Sequence, residues 1–353
     1  MKILPLDIDL ETKRVLKSLP SAHAALAELK GVAASIPNQI ILLNTLGLQE
    51  AKDSSAIENI ITTHDELYKS ELNIEHLGSL NAKEVQNYIA ALKAGYDLCK
   101  ETGVLTNKTI LKVQEVLEKN VAGFRKLPGT TLKNSATGEV VYTPPQSFAE
   151  INMLMSNFEL FINDDELCNY DPLVKLAIIH FQFESIHPFY DGNGRTGRII
   201  NILYLIQQKL LDVPILYLSN YFIRNKSEYY RLLQSVRESD NWEEWILFVV
   251  KAIEHTSKDT INLILLIKSL MQQFKHKLRD NYKFYSQDLL NTLFQHPYTK
   301  IEFLMRNLDV SRITAANYLN KLADDGMLTK EKIGKNNFYV NQELFEIFTQ
   351  ITH

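Results

Sequence analysis

Cysteine is nearly absent: two residues in 353, Cys99 and Cys168, far apart and without metal-ligand spacing. That excludes a disulfide framework and a thiolate metal site, and it predicts reduced, partly buried thiols in a cytosolic protein. Neither sign of charge prevails. Lys and Arg number 38 against 42 Asp and Glu, a formal net charge of -4. Nothing therefore draws the whole chain toward nucleic acid or an anionic membrane. Long apolar runs are missing too. The densest, residues 261 to 270, is interrupted by Asn262 and Lys268 and is too short to span a bilayer. The first residues carry Asp7, Asp9 and Glu11 where a signal peptide would be apolar. These absences argue against membrane and secreted classes and lead us to expect a cytoplasmic protein. What is present is an ordinary globular composition, 45% hydrophobic and 23% charged, over a length that allows two or three domains.

The chain turns on residues 187 to 198, His-Pro-Phe-Tyr-Asp-Gly-Asn-Gly-Arg-Thr-Gly-Arg. Apolar helical runs flank it, residues 173 to 186 before and 199 to 210 after. The stretch therefore reads as a loop opening onto a helix N-terminus, where free N–H groups favour anions and phosphate above all. Gly192, Gly194 and Gly197 let the backbone approach a ligand closely. Arg195 and Arg198, three apart around Thr196, can fork onto phosphate oxygens. Asp191 is a hard oxygen ligand suited to phosphate-bound Mg2+. His187, at the mouth of the loop, is the side chain best fitted to take a proton near neutral pH. Gly-Asn-Gly alone is ordinary turn chemistry. Base, metal ligand, amide cradle and two arginines together describe a phosphoryl or nucleotidyl transfer site.

Elsewhere the pattern is mainly helical, over residues 21–32, 40–48, 84–100, 106–119 (starting from Thr106 or Asn107 as a cap), 147–162, 225–234 and 253–281. Trp242 and Trp245 suit the core of a closing helix, and Phe189 an apolar plug under the loop. His180, seven residues before His187 in a run apolar on every side, reads as a satisfied core histidine and not a metal ligand. Residues 130–132 and 139–142, around the turn residues 134–138, read as a β-hairpin. Residues 300–308, 312–324, 327–333 and 338–340 follow a helix, helix, hairpin order that resembles a winged helix-turn-helix domain. Such a domain would turn Arg312, Thr314 and Asn317 toward a DNA groove. Acidic and basic residues there are balanced, so a homodimer or target-docking role is as well founded as DNA binding.

Residues 187 to 198 resemble the signature of the Fic family, His-Pro-Phe-x-(Asp/Glu)-Gly-Asn-(Gly/Lys)-Arg-x-x-Arg. The resemblance, spanning about residues 36 to 250, implies a protein adenylyltransferase that moves AMP from ATP to a Ser, Thr or Tyr hydroxyl of a target protein, or of itself. It implies His187 as base, Asp191 holding Mg2+, and the amides of 192–195 with the Asn193 side chain holding the α-phosphate. Arg195 and Arg198 would clamp the β- and γ-phosphates. Ser54, Glu58 and Asn59 resemble the family's inhibitory motif, (Ser/Thr)-x-x-x-Glu-(Gly/Asn). By resemblance Glu58 pairs with Arg198 and occupies the γ-phosphate fork. Val140, Val141 and Tyr142 become part of a flap that pairs with the target segment. One of Tyr229 and Tyr230 becomes an adenine contact; Arg237 stands where some relatives carry Asn.

The expected architecture is thus mainly α. Residues 1–105 form a helical region with the inhibitory motif, 106–282 a Fic-type catalytic core with its hairpin flap, and 283–353 a small winged helix-turn-helix domain. Two alternatives stay open on the residues: removal of AMP or transfer of another phosphate-containing group at the same site, and a DNA-binding regulator that senses nucleotide.

Overall fold

The computed structural model describes residues 1–36, 38–71, 79–133, 137–333 and 336–350, the side chains of Ile40, Glu71 and Gln350 excepted. Helix α1 (Lys13–Ala34) starts at Thr12, whose hydroxyl accepts the Val15 N–H. Next come α2 (Gln39–Ile57) and α3 (His64–Glu71). Helix α4 (Leu80–Thr102) begins at a Ser79 cap and stops at Gly103 in the left-handed region. Helix α5 (Asn107–Glu118) has the Thr106 cap foreseen in the sequence. A short antiparallel pair follows, β1 (Leu132–Lys133) and β2 (Val140–Tyr142), with Leu132 opposite Tyr142. The hairpin is therefore present; its expected turn residues Asn134, Ser135 and Ala136 lie outside the described residues.

Helix α6 (Phe148–Asn163) is capped by Ser147, and α7 (Pro172–Ile186) by Asp171 with proline at its first turn. Residues 173 to 186 are buried around the whole circumference, so α7 is the central strut of the fold. Helix α8 (Asn193–Gln207) returns beside it. Helices α9 (Ser219–Arg224) and α10 (Lys226–Ser239) lead into α11 (Trp242–Asn281). The sequence patterns around Trp242 and over 253–281 are here one continuous 40-residue helix. Its buried face takes in Trp245, Ile253, Ile264 and Leu278, and no helix breaker interrupts that stripe. Trp245 is fully buried and donates its indole N–H to the Ala177 carbonyl at 2.9 Å, locking α11 to α7. Helix α1 lies along α11.

The C-terminal unit comprises α12 (Gln287–Phe294), β3 (Tyr298–Thr299), α13 (Ile301–Leu308), α14 (Arg312–Asp324), β4 (Thr329–Ile333), β5 (Asn336–Val340) and α15 (Gln342–Gln350). Its sheet is antiparallel in the order β3-β5-β4. The helix, helix, hairpin order expected from the sequence is present, with an added strand and a closing helix. This unit is not detached. Tyr68 of α3 sits edge-on to His296 at 4.9 Å and touches Phe345, while the Tyr298 hydroxyl donates to Asp65 at 2.6 Å. One apolar core runs from Leu4 to Phe348. Among the described residues no helix is long and apolar enough to cross a membrane.

Gly95 lets α4 pack against both α5 and α8. A Cβ there would lie 2.7 Å from Leu203 and 2.8 Å from Val113, both buried. Gly95→Val should therefore destabilise the protein by about 1–3 kcal/mol, the cost of overpacking a filled core. Denaturant titration of the two proteins measures this directly.

Candidate active site

The loop joining α7 to α8 is shaped by backbone constraints at both ends. His187 closes α7 in the left-handed region (φ 50°), with its N–H on the Phe183 carbonyl at 3.0 Å. Gly192 opens α8 at φ 74°, a conformation glycine adopts without cost. Phe189 is fully buried against Phe183 and Phe124, the plug anticipated from the sequence. Asn193 departs from its expected role. Its carboxamide accepts the Phe189 N–H and donates to the Phe189 carbonyl, both at 2.8 Å. That two-sided clamp holds the loop in shape and leaves the residue's backbone amide, not its side chain, for a ligand. Helix α8 thus starts at Asn193, placing Gly194, Arg195, Thr196, Gly197 and Arg198 on its first two turns.

Arg198 is 2% exposed and fully engaged. Its Nε donates to Ser54 Oγ at 2.8 Å, and Nη2 donates to the Ser54 carbonyl at 2.9 Å and to Glu58 Oε1 at 2.8 Å. Ser54 and Glu58 are therefore brought to the first turns of α8, while the Asn59 side chain accepts from Lys226 at 3.2 Å. Asn59 has a part the motif alone does not explain: at φ 64° it takes the left-handed turn that ends α2, a geometry asparagine tolerates. The turn places Glu58 over the first turn of α8. A Cβ on Gly194 would lie 2.2 Å from Glu58 Oε1. The carboxylate thus sits where a helix N-terminus attracts an anion. Burial opposes its charge, but the Arg198 guanidinium prevails and holds the Glu58 carboxyl below the ordinary glutamate range.

Two carboxylates that sequence reasoning passed over, Glu50 and Asp53, hold α2 in place. Glu50 is buried and accepts from the Ser219 N–H at 3.0 Å, the Tyr88 hydroxyl at 2.9 Å and the Ser219 hydroxyl. Burial pushes its carboxyl up to about 7. Asp53 accepts from Asn220 at 2.8 Å. Carboxylates on an otherwise apolar helix look like solvated positions in a sequence; their partners come from α4 and α9, distant along the chain.

Arg195 differs from the open phosphate fork expected of it. Nη2 pairs with Glu118 at 2.8 Å and Nη1 with Glu84 at 3.1 Å, the side chain being 5% exposed. The end of α5 and the start of α4 converge there, and Glu118 fills the space beside Gly192 so closely that a Cβ would lie 2.4 Å from Oε1. Arg195 consequently braces three helices around the loop. Asp191 is exposed, with Oδ1 accepting the Gly192 N–H at 2.7 Å. A single outward carboxylate beside a phosphate-binding helix start fits the donor set of Mg2+, which takes one or two carboxylates and completes its sphere with phosphate and water.

Burial, then the positive charge of Arg125, lower the His187 imidazole to about 4. Its Nδ1 is buried without a hydrogen-bond partner among the described residues. His180 is fully buried, bonded to Tyr229 Oη at 2.9 Å and to Asn201 Nδ2 at 3.0 Å; burial drives it to about 3. Tyr229 is thereby fixed in the core, 2% exposed, whereas Tyr230 beside it is 45% exposed. Of the two candidates only Tyr230 presents surface to a ligand. On the flap, Val140 and Val141 face outward, and Tyr142 anchors it by donating to the Ser185 carbonyl at 3.1 Å beneath the Arg237 guanidinium, 4.2 Å from its ring. Gln234 ties α10 to the Val141 carbonyl at 3.1 Å. Glu184 also escaped sequence reasoning: a buried carboxyl between Arg198 and Arg237, raised by burial to about 7.

Three family models match the chain in succession: the Fic/DOC family N-terminal region at residues 16–97, the Fic/DOC family domain at 104–205, and the C-terminal domain of SoFic-like protein adenylyltransferases at 270–344. A probable protein adenylyltransferase of Aquifex aeolicus is 30% identical over 220 residues, 61% of each chain. Protein adenylyltransferase Fic of Aedes aegypti is 26% identical over 52% of this chain and 33% of its own length. The chain thus spans less than two thirds of these relatives. A Fic family protein from Desulfovibrio desulfuricans shares the fold over 95% of this chain and 97% of its own, at TM-score 0.61 and 20% identity. Fic-1 from C. elegans does so over 72% and 73%, at TM-score 0.56 and 22% identity. With its N-terminal, central and C-terminal segments each matched in chain order, the protein belongs to the Fic/DOC family.

Proposed function

We propose that this chain is a protein adenylyltransferase that moves AMP from ATP to a Ser, Thr or Tyr hydroxyl of a target protein and is held inactive by Glu58. The observation that carries this reading is the Glu58–Arg198 ion pair, set over the amide start of α8 and beside His187. A carboxylate lodged in an anion site, on the arginine that would hold a terminal phosphate, is an internal competitor for that phosphate.

In the proposed reaction His187 Nε2 removes the proton of the incoming hydroxyl. The hydroxyl oxygen bonds to the α-phosphorus while the bond to the β-phosphate bridging oxygen breaks, and pyrophosphate leaves. The backbone amides of 192–195 meet the charge that grows on the α-phosphate. Asp191 would hold Mg2+, which when bound neutralises charge on the phosphates. Arg198 takes the γ-phosphate once Glu58 has left it, while Arg195, between Glu84 and Glu118, keeps the cradle in register. Tyr230 borders the base. The outward edge of β2, at Val140 and Val141, accepts the target segment as an added strand.

Residues 283–353 are read as a winged-helix unit, residues 106–282 as the catalytic core and 1–105 as the inhibitory region. On the expected groove-reading face Arg312 is paired with Glu302 at 2.8 Å. That pairing and the balanced charge support protein docking, including self-association, over DNA contact. Two free buried thiols support a cytoplasmic setting.

Glu58→Gly should raise AMP transfer from labelled ATP by about 5- to 150-fold, the span of a 1–3 kcal/mol coupling; a variant no faster than the parent removes the autoinhibition. Mass spectrometry of the modified protein distinguishes an AMP adduct from another phosphate-containing group or from AMP removal. His187→Ala, made in that active background, should cut transfer by about 10²- to 10⁴-fold with ATP affinity nearly unchanged by calorimetry. Since transfer needs the neutral imidazole, and His187 is lowered from 6.5 to about 4, activity should be lost only as pH falls through about 4. The pH profile of kcat/KM reads this limb. The same shift has a stability consequence: the contribution of His187 is complete above 6.5 and is lost as pH falls through about 4.

A further inference from the structure

Arg125 lies on the loop between α5 and β1 and is 0% exposed. Its Nε donates to the His187 carbonyl at 2.8 Å, and Nη2 donates to the Pro145 carbonyl and to the Ile186 carbonyl at 3.4 Å. Its backbone N–H donates to the Pro188 carbonyl at 2.8 Å. Standing before β1, this one residue thus ties the segment after β2, at Pro145, to the backbone of residues 186 to 188. The surrounding contacts run the same way. The Tyr190 hydroxyl accepts the N–H groups of Lys126 at 2.9 Å and Leu127 at 3.1 Å. Gln146 accepts the Gly129 N–H at 2.7 Å and donates to the Thr130 carbonyl at 3.0 Å.

The guanidinium is held by carbonyl oxygens alone: no carboxylate pairs with it among the described residues, and its Nη1 is buried without a partner there. Burying a cation without a counter-charge is costly. A neutral donor could have made some of these bonds more cheaply. The retained charge faces His187, whose titration Arg237, Glu58 and the Glu184 backbone also influence.

We propose that Arg125 is a positioning residue that locks the base of the flap to the loop carrying His187, so that target strand and imidazole are held in one frame. The proposal rests on the reading of His187 as the base and of the hairpin as the target-binding flap. It assigns two separable effects to one side chain. The fork geometry holds the flap, and the charge adds to burial in keeping the imidazole unprotonated.

The test uses the full chain carrying Arg125→Lys, which keeps the charge without the planar fork, or Arg125→Gln, which keeps neither the charge nor the full fork. Two readouts are independent of AMP transfer. The first is the His187 titration midpoint by NMR of imidazole-labelled protein, assigned with His187→Ala. The second is amide exchange of the flap segment, residues 129–133 and 137–146. Both variants should speed flap exchange by about tenfold, the loss expected for one buried hydrogen bond. Arg125→Gln alone should raise the midpoint, by about one pH unit. In the Glu58→Gly background both should lower kcat for the target with the KM for ATP unchanged. Flap exchange as slow as in the parent in both variants overturns the proposal, as does a midpoint that Arg125→Gln leaves in place. Should Arg125→Gln fail to fold, Arg125→Lys decides on flap exchange alone. A parent chain that transfers no AMP refutes the adenylyltransferase reading and leaves these two measurements to judge Arg125.

Discussion

Two arginines on the first two turns of α8, both taken out of water, must be matched by charge, and the rest of the site follows from how that demand is met. Arg195 is 5% exposed and Arg198 2%. Leaving either unpaired would cost several kcal/mol. Three helices are therefore drawn to one point: α2 brings Ser54 and, just past its end, Glu58; α4 brings Glu84; α5 brings Glu118. The two matches are of different kinds. Glu84 and Glu118 come from the ends of well-buried helices, and their pairing with Arg195 belongs to the scaffold. Glu58 stands just beyond the end of α2, before the left-handed Asn59. Its pairing with Arg198 can be broken without unfolding a helix.

That asymmetry separates the Glu58–Arg198 contact from the stable core. The anchor of α2 lies further back, at Glu50 and Asp53, bonded to the start of α9 and to Tyr88. Glu58 can leave the α8 start while α2 stays docked. On its far side α2 is followed by α3, which packs on the C-terminal unit through Tyr68 and Asp65. The segment carrying Glu58 is thus bounded by α8 on one side and, through α3, by the C-terminal unit on the other.

Buried polar groups around His187 have a second organisation. Arg125, Glu184 and His180 are all buried, and the energetic cost of placing them there is met by backbone carbonyls, by neutralisation or by a two-sided hydrogen-bond pair respectively. The imidazole emerges from this region with its acceptor nitrogen unprotonated at neutral pH. A histidine in water would be partly protonated near its ordinary 6.5. The fold, not the residue type, sets its protonation.

Much of this was legible before any coordinates. The periodicity of 173–186, the cap at Thr106, the helix at 312–324 and the loop motif are local, and local chemistry settles them: spacing selects the helix, glycine permits the turn, and Phe189 has nowhere to go but inward. The placement of Ser54 and Glu58 against Arg198 was legible only through resemblance. Tertiary structure alone decided the rest. It showed that Asn193 clamps a loop, that Arg195 braces helices, that Tyr229 belongs to the core, and that Glu50, Glu118 and Arg125 matter at all. Asn193 apart, whose partner Phe189 is four residues away, each of these is a polar group whose meaning depends on a partner distant in the chain, 49 residues away for Tyr229 with His180 and 169 for Glu50 with Ser219. A one-dimensional pattern records which face of an element is apolar. Which distant dipole or charge will meet a given side chain is set when the elements pack, because a hydrogen bond needs its partner within about 3 Å and at a narrow angle.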